Sequence, residues 1–293
     1  MTSRLSLRHT ARLLFLLFVL GTARPLVAQP PRGERPPTPD WVGEFTVASA
    51  NGLIGGLTAG IWQKVRGGSF QDGFTRGLLG GVVTYGGKRL AVQDFYGAGL
   101  AGREVAAVGS SMTRNAADGL PLLQRVMLPI GPMHLYVERS AGVRVHAKVD
   151  AYTLGWMTYA ALQPELRWDA GRSLSAGAPV FVVRDRLIVS GDDSEAAGLT
   201  VAGTILLSDI PGIDLSTNFA HERVHVLQND QIFLLWTEPA EQWALRKVPG
   251  GRTIARYVDP NLSPVVTELL GRLFPEYHSK PWEMEAIFLS EDP

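Results

Sequence analysis

The sequence contains no cysteine. That excludes disulfides, thiolate metal sites, a cysteine nucleophile and lipidation of an N-terminal cysteine, so any metal must be held by His, Asp or Glu. Nor is there an excess of charge: 28 Lys and Arg face 28 Asp and Glu, and nothing in the balance points to nucleic acid or an acidic ligand. No apolar run reaches the roughly 20 uninterrupted residues that a membrane span needs; Trp41 to Trp62, with only Glu44 charged, comes closest. A G-x-S-x-G elbow and the Gly-Lys-Ser/Thr of a phosphate-binding loop are also missing. Histidine is scarce, with six in 293 residues.

What is present begins with an export signal. Arg4, Arg8 and Arg12 precede the apolar stretch Leu13 to Leu20, and Ala28 ends a cleavage-type segment. Residues 1–28 are therefore expected to be a signal peptide; an uncleaved anchor would equally leave the body outside the cytoplasm. Residues 29–40 form a proline-rich linker. The expected location is exported, periplasmic or secreted.

Residues 41–119 make a glycine-rich helical region. Gly52, Gly56 and Gly60 recur every four residues, as do Gly73, Gly77 and Gly81. This spacing strips side chains from one helix face and lets two backbones approach closely. Such a glycine-zipper hairpin either inserts in or lies on a membrane, or packs tightly as a soluble unit; the interrupted apolar stretches favour soluble or peripheral packing. Residues 120–293 make a β-sheet plus helical region. "VRVHAKVDAYTLGW" starts with strict alternation: Val143, Val145, Ala147 and Val149 on one face, expected to be the buried one, and Arg144, His146, Lys148 and Asp150 on the solvent face. "MHLYVER", "PVFVVRDRLIVSG" and "GLTVAGTILLS" are further strands of an antiparallel sheet. Helices follow: one capped by Ser216, Thr217 or Asn218 and running to about Trp236, then Glu238 to Lys247, Ser263 to Phe274, and "PWEMEAIFLS". The order helix, sheet, helix predicts an α+β fold.

The chemistry concentrates in His221-Glu222-Arg223-Val224-His225. On a helix, positions four apart share a face, so His221 and His225 can offer nitrogens to one ion. Glu222, one position round, is placed to take a proton from a metal-polarised water. In the last helix Glu283 and Glu285 stand in an apolar setting where charge is costly unless paired or metal-bound. They lie about 200° apart, so only one can face the metal.

This motif resembles the zincin metallopeptidases, over the motif helix and the C-terminal Glu-x-Glu-Ala helix only. Gln228 and Gln231 stand where the metzincin branch has Gly and His. The resemblance is to the gluzincin branch, whose third ligand is a glutamate from a later helix. The glutamate three before Ala286 is Glu283, with Glu285 second; Glu238 and Glu241 lie too far along the same helix. Two departures stand out: a charge at Arg223, a position expected to face solvent, and Ile287 where an aspartate is commonest. The resemblance implies zinc held by His221, His225 and Glu283, Glu222 as general base, and a peptide or protein substrate. Tyr277 and His278, just before the last helix, are either surface loop residues, the expected case, or donors to an oxyanion. The alternative is a membrane-associated structural or assembly protein built on the glycine helices, with a structural metal or none.

Overall fold

The computed structural model describes residues 41–184, 187–188, 195–209, 211, 214–274 and 280–291. The expected signal and linker, and Glu276, Tyr277 and His278, lie outside the described residues. Three helices come first: α1 (Trp41–Val65), α2 (Phe70–Ala91) and α3 (Ala98–Ala117). Glycine explains their packing, on two faces of α2 rather than one. A Cβ at Gly73 would come within 2.9 Å of the Gly60 Cα on α1, and a Cβ at Gly80 within 2.7 Å of the Gly109 carbonyl on α3. The second contact, α2 against α3 through Gly80, Gly87, Gly102 and Gly109, was not anticipated from the four-residue spacing. Among the described residues no helix is long and apolar enough to cross a membrane.

The remainder carries β1 (Arg125–Ile130), β2 (Met133–Arg139), β3 (Val143–Asp150), α4 (Ala151–Leu162), β4 (Leu166–Trp168), α5 (Ala170–Ala176), β5 (Val180–Val183), β6 (Leu187–Ile188), β7 (Glu195–Ala196), β8 (Gly198–Val201), β9 (Thr204–Ser208), α6 (Leu215–Ile232), α7 (Glu238–Leu245), α8 (Gly251–Tyr257), β10 (Val258–Asp259), α9 (Ser263–Gly271) and α10 (Pro281–Glu291). The fold is α+β. Its described strands fall into two four-stranded sheets, β1-β2-β3-β10 and β4-β5-β9-β8, and a two-stranded β6-β7 pair. Each large sheet is antiparallel but for one parallel pair, β3 with β10 and β5 with β9.

The alternation in β3 is real, but its faces are reversed from expectation. Val143 and Val145 are exposed, whereas Lys148 and Asp150 are buried. The polar face turns inward because it is not left unpaired. Lys148 Nζ donates to Asp259 (2.9 Å), Tyr136 Oη donates to the same carboxylate (2.7 Å), and Asn261 Nδ2 donates to Asp150 (2.6 Å). Buried charge is tolerated when it is hydrogen-bonded and neutralised in this way. The strand also ends at Asp150, whose carboxylate caps α4 by accepting from Thr153 N.

The second sheet covers α6. β5 and β9 are buried along their whole length, and Val180, Val182, Ile205 and Leu207 pack on Phe219, Val226 and Leu227 of α6. The cap of α6 is Asp214, not Ser216 or Thr217; its carboxylate accepts from the backbone N–H of both. Their hydroxyls donate to it as well, and these bonds hold the carboxyl down at about 2. At its other end α6 does not stop before Pro239. It passes through a π-helical turn, Phe233–Thr237, directly into α7. The wider turn absorbs the backbone mismatch a helical proline creates.

Candidate metal centre

The buried α6 sets the first two donors. His221 and His225 lie on its face towards α10, with their Nε2 atoms 3.0 Å apart. From α10, 58 positions further on, Glu283 Oε2 reaches to 3.2 Å from His225 Nε2 and 3.4 Å from His221 Nε2. Three ligand atoms of different residues thus form one small triangle. Tetrahedral zinc with bonds of about 2.0–2.2 Å has corners roughly 3.3–3.6 Å apart, a little wider than the observed edges of 3.0, 3.2 and 3.4 Å. The donor set fits a divalent zinc-type cation: two imidazoles and one carboxylate.

Glu285 does not join the triangle. It accepts hydrogen bonds from Lys88 Nζ (2.9 Å), Asn51 Nδ2 (2.7 Å) and Gln228 Nε2 (2.8 Å). Burial would raise its carboxyl, but the Lys88 charge and the bonds from Asn51 and Gln228 win and hold it below the usual range. Glu285 therefore anchors α10 to α1 and α2, and so positions Glu283 two residues earlier. Gln228 completes the link: its Oε1 lies 2.8 Å from His225 Nδ1. A donated Nδ1–H leaves the Nε2 lone pair free for a cation. The outer partner left open by Ile287 is supplied here from the motif helix itself.

The Glu222 carboxylate meets β8 while staying within electrostatic reach of His225, His221 and Glu283. Thr200 Oγ1 donates to Glu222 Oε2 at 2.7 Å, and a Cβ at Gly198 would come within 2.8 Å of the Glu222 side chain. Burial raises the Glu222 carboxyl above its ordinary value, opposed by His225, the Thr200 hydrogen bond and His221. For His225, burial works against a positive charge, yet the bond to Glu283 and the charge of Glu222 lift it to about 9. The pocket of donors attracts positive charge.

One expectation fails at Arg223, and the later glutamates described outside α10 stay clear of the histidines. Arg223 does not face solvent. It is 7 % exposed, its guanidinium lies 4.8 Å from the Phe219 ring centroid, and its Cδ fills space that a side chain at Gly99 would occupy. Burial lowers it to about 10, against the charge of Asp94. Glu238 pairs with Arg125 at 2.7 Å, Glu241 accepts from Asn261 N and Leu262 N, and Glu268 is solvent-facing beside Arg272. None approaches the histidines. Thr200, Gly198, Lys88 and Asn51 were missed by sequence reasoning; they lie on distant elements and carry no motif. No protein-family model matches the chain, and comparison with curated proteins and with solved structures returns no match.

Proposed function

We propose that this chain is an exported zinc-dependent hydrolase acting on peptide bonds. The observation that carries the proposal is the convergence of His221, His225 and Glu283 on one point, beside a buried glutamate that is not needed to hold the ion. Zinc bound there supplies a Lewis acid and makes water a nucleophile near neutral pH. The residues divide the remaining work. Glu222, near those donors and raised by burial, accepts a proton from water and returns it to the leaving amine. Thr200 holds Glu222 in one rotamer, and Gln228 fixes the His225 tautomer.

A peptide substrate is favoured over a small ester by β8. Among the described residues this strand pairs only with β9, and it contacts Glu222 through Gly198 and Thr200. A free strand edge beside a hydrolytic centre can hold an extended peptide by main-chain hydrogen bonds. A second use of the chain, resting on a membrane surface, is favoured by one observation: Trp41, Val42 and Phe45 are exposed together at the start of α1.

The test is zinc content by elemental analysis for wild type, His225→Ala and Glu283→Ala, followed by peptide-library digestion with Glu222→Gln as control. About one zinc per wild-type chain, lost in both variants, with cleavage abolished in Glu222→Gln while its zinc remains, is the expected result. A folded wild type that takes up no zinc at neutral pH overturns the proposal.

A further inference from the structure

The inward polar face of the first sheet does not close on itself. It forms the floor of a cavity of about 340 Å³. Register places its residues: Glu138 opposite Arg125, and Tyr136 opposite His146. α7 supplies a wall with Glu238, Trp243 and Arg246, while Arg66 and Arg114 come in from the glycine-rich helices. By helix rise this wall is about 20 Å along the α6–α7 axis from His225, so the cavity is separate from the metal centre.

Its charge is lopsided. Arg66, Arg114, Arg125, Lys148 and Arg246 line it, against only Glu138 and Glu238. In a chain of zero net charge, five cations at one cavity are a local concentration that composition could not reveal. Their existing partners are shared or set behind the wall. Arg125 is paired with Glu238, Arg66 with Asp118, and Lys148 with Asp259. Arg114 donates to Asp118 and stands 3.9 Å from Glu238, so it competes for carboxylates its neighbours already use. Burial, together with the nearby Arg125 and Arg66 charges, holds Arg114 below its ordinary value, although Glu238 and Asp118 oppose that. Arg246 has no ion-pair partner among the described residues. The flat surfaces are equally arranged: the Tyr136 and His146 rings stack at 7° and 5.1 Å on the floor, and Trp243 is 66 % exposed at the rim.

We infer that this cavity binds a small phosphorylated molecule, its phosphate held among the guanidinium groups of Arg66, Arg114 and Arg246 and its organic part against Trp243. Guanidinium forks match phosphate oxygens through paired, charge-assisted hydrogen bonds. More than one arginine lining one space suits a dianion better than a single carboxylate, and the dianion would draw Arg66 and Arg114 from Asp118. The cavity lies at the lower end of the size range of small-molecule sites. The inference stands apart from the zinc reading, because neither its residues nor its readout involves the metal.

The test is isothermal titration of the full chain with inorganic phosphate, pyrophosphate and citrate at constant ionic strength. Pyrophosphate is expected to bind with one site per chain. Arg246→Gln, at an exposed position whose loss leaves the fold intact, is expected to weaken it roughly tenfold or more, the value of one charged hydrogen bond. Glu238→Gln, which removes a competing carboxylate, is expected to tighten it. His225→Ala should leave binding unchanged, which separates this cavity from anion capture at a metal. Absence of binding to the folded wild type overturns the inference. So does affinity that Arg246→Gln and Arg66→Gln leave unaltered, or that His225→Ala abolishes. Tighter binding of citrate than of pyrophosphate overturns the phosphate assignment.

Discussion

Gln228 Oε1 lies 2.8 Å from His225 Nδ1, one turn along the same helix. The amide thereby dictates which imidazole nitrogen faces Glu283, and its own NH₂ is held by the Trp282 carbonyl and Glu285. Gln228→Ala is expected to weaken zinc binding by roughly 10- to 100-fold, the usual effect of removing an outer partner of a ligating histidine. Competition with a chromophoric chelator would measure this. Unchanged affinity would show that the ring is oriented by packing alone.

Thr200 and Glu222 make a second directed pair. Replacing Thr200 with Val keeps the shape of the side chain and removes the hydroxyl that donates to the carboxylate. Losing a hydrogen bond to the charged form favours the protonated one. That bond lowers the Glu222 carboxyl against the rise caused by burial, so its loss should move the carboxyl further up. In the proposed mechanism Glu222 acts as an ionised base, so the acid limb of kcat against pH is expected to shift to higher pH in Thr200→Val. A profile that does not move would remove Thr200 from the mechanism.

The glycine helices allow a paired experiment. At Gly109 a Cβ would sit 2.6 Å from the Gly80 carbonyl oxygen, whereas at Gly86 it would meet nothing within 4 Å. Gly109→Ala forces α2 and α3 apart and is expected to destabilise by about 1–3 kcal/mol. Gly86→Ala, in the same block, should stabilise by about 0.5–1 kcal/mol through helix propensity. Urea denaturation midpoints of the two variants would decide it. Equal changes would mean the close approach is not what these glycines serve.

Glu104 is a carboxyl without a hydrogen-bond partner among the described residues: both its oxygens are buried and unbonded there. Burial raises it to about 7, against the charge of Arg103. The folded state therefore holds a proton that the unfolded chain releases near 4.5. The resulting stability is present in full below that lower value and is lost as pH rises through about 7. Discounted for partial exposure, the loss is on the order of 2 kcal/mol. Glu104→Gln should be more stable than wild type at pH 8 and nearly equal to it at pH 4.5. An equal difference at both pH values would contradict this account.

The sequence exposed the local parts of the site and hid the distant ones. His221, Glu222 and His225 were legible because a fixed helical spacing is a local property. Glu283 could be narrowed to one of two carboxylates by helical angle, and it needed a family resemblance to separate it from Glu285. The role of Glu285 was invisible, since its partner Asn51 is 234 residues away. In β3 the period was legible but not the direction. Alternation says that two faces differ; which one is buried depends on whether other elements bring counter-charges, and Asp259 does. The split into two sheets rests on the pairs β3–β10 and β5–β9, joined by long connections that no local pattern encodes.

Glu285 hangs from Asn51 of α1 and Lys88 of α2, and Glu283 is one helical half-turn away on the same rod. If the proposed metal site is occupied, assembly of the glycine helices and capture of a cation at Glu283 become thermodynamically linked events. Whatever free energy the ion contributes to clamping α10, the hairpin returns as affinity for the ion, in equal measure. A chain whose N-terminal helices have come apart would keep both histidines in register on α6 and still let the ion go.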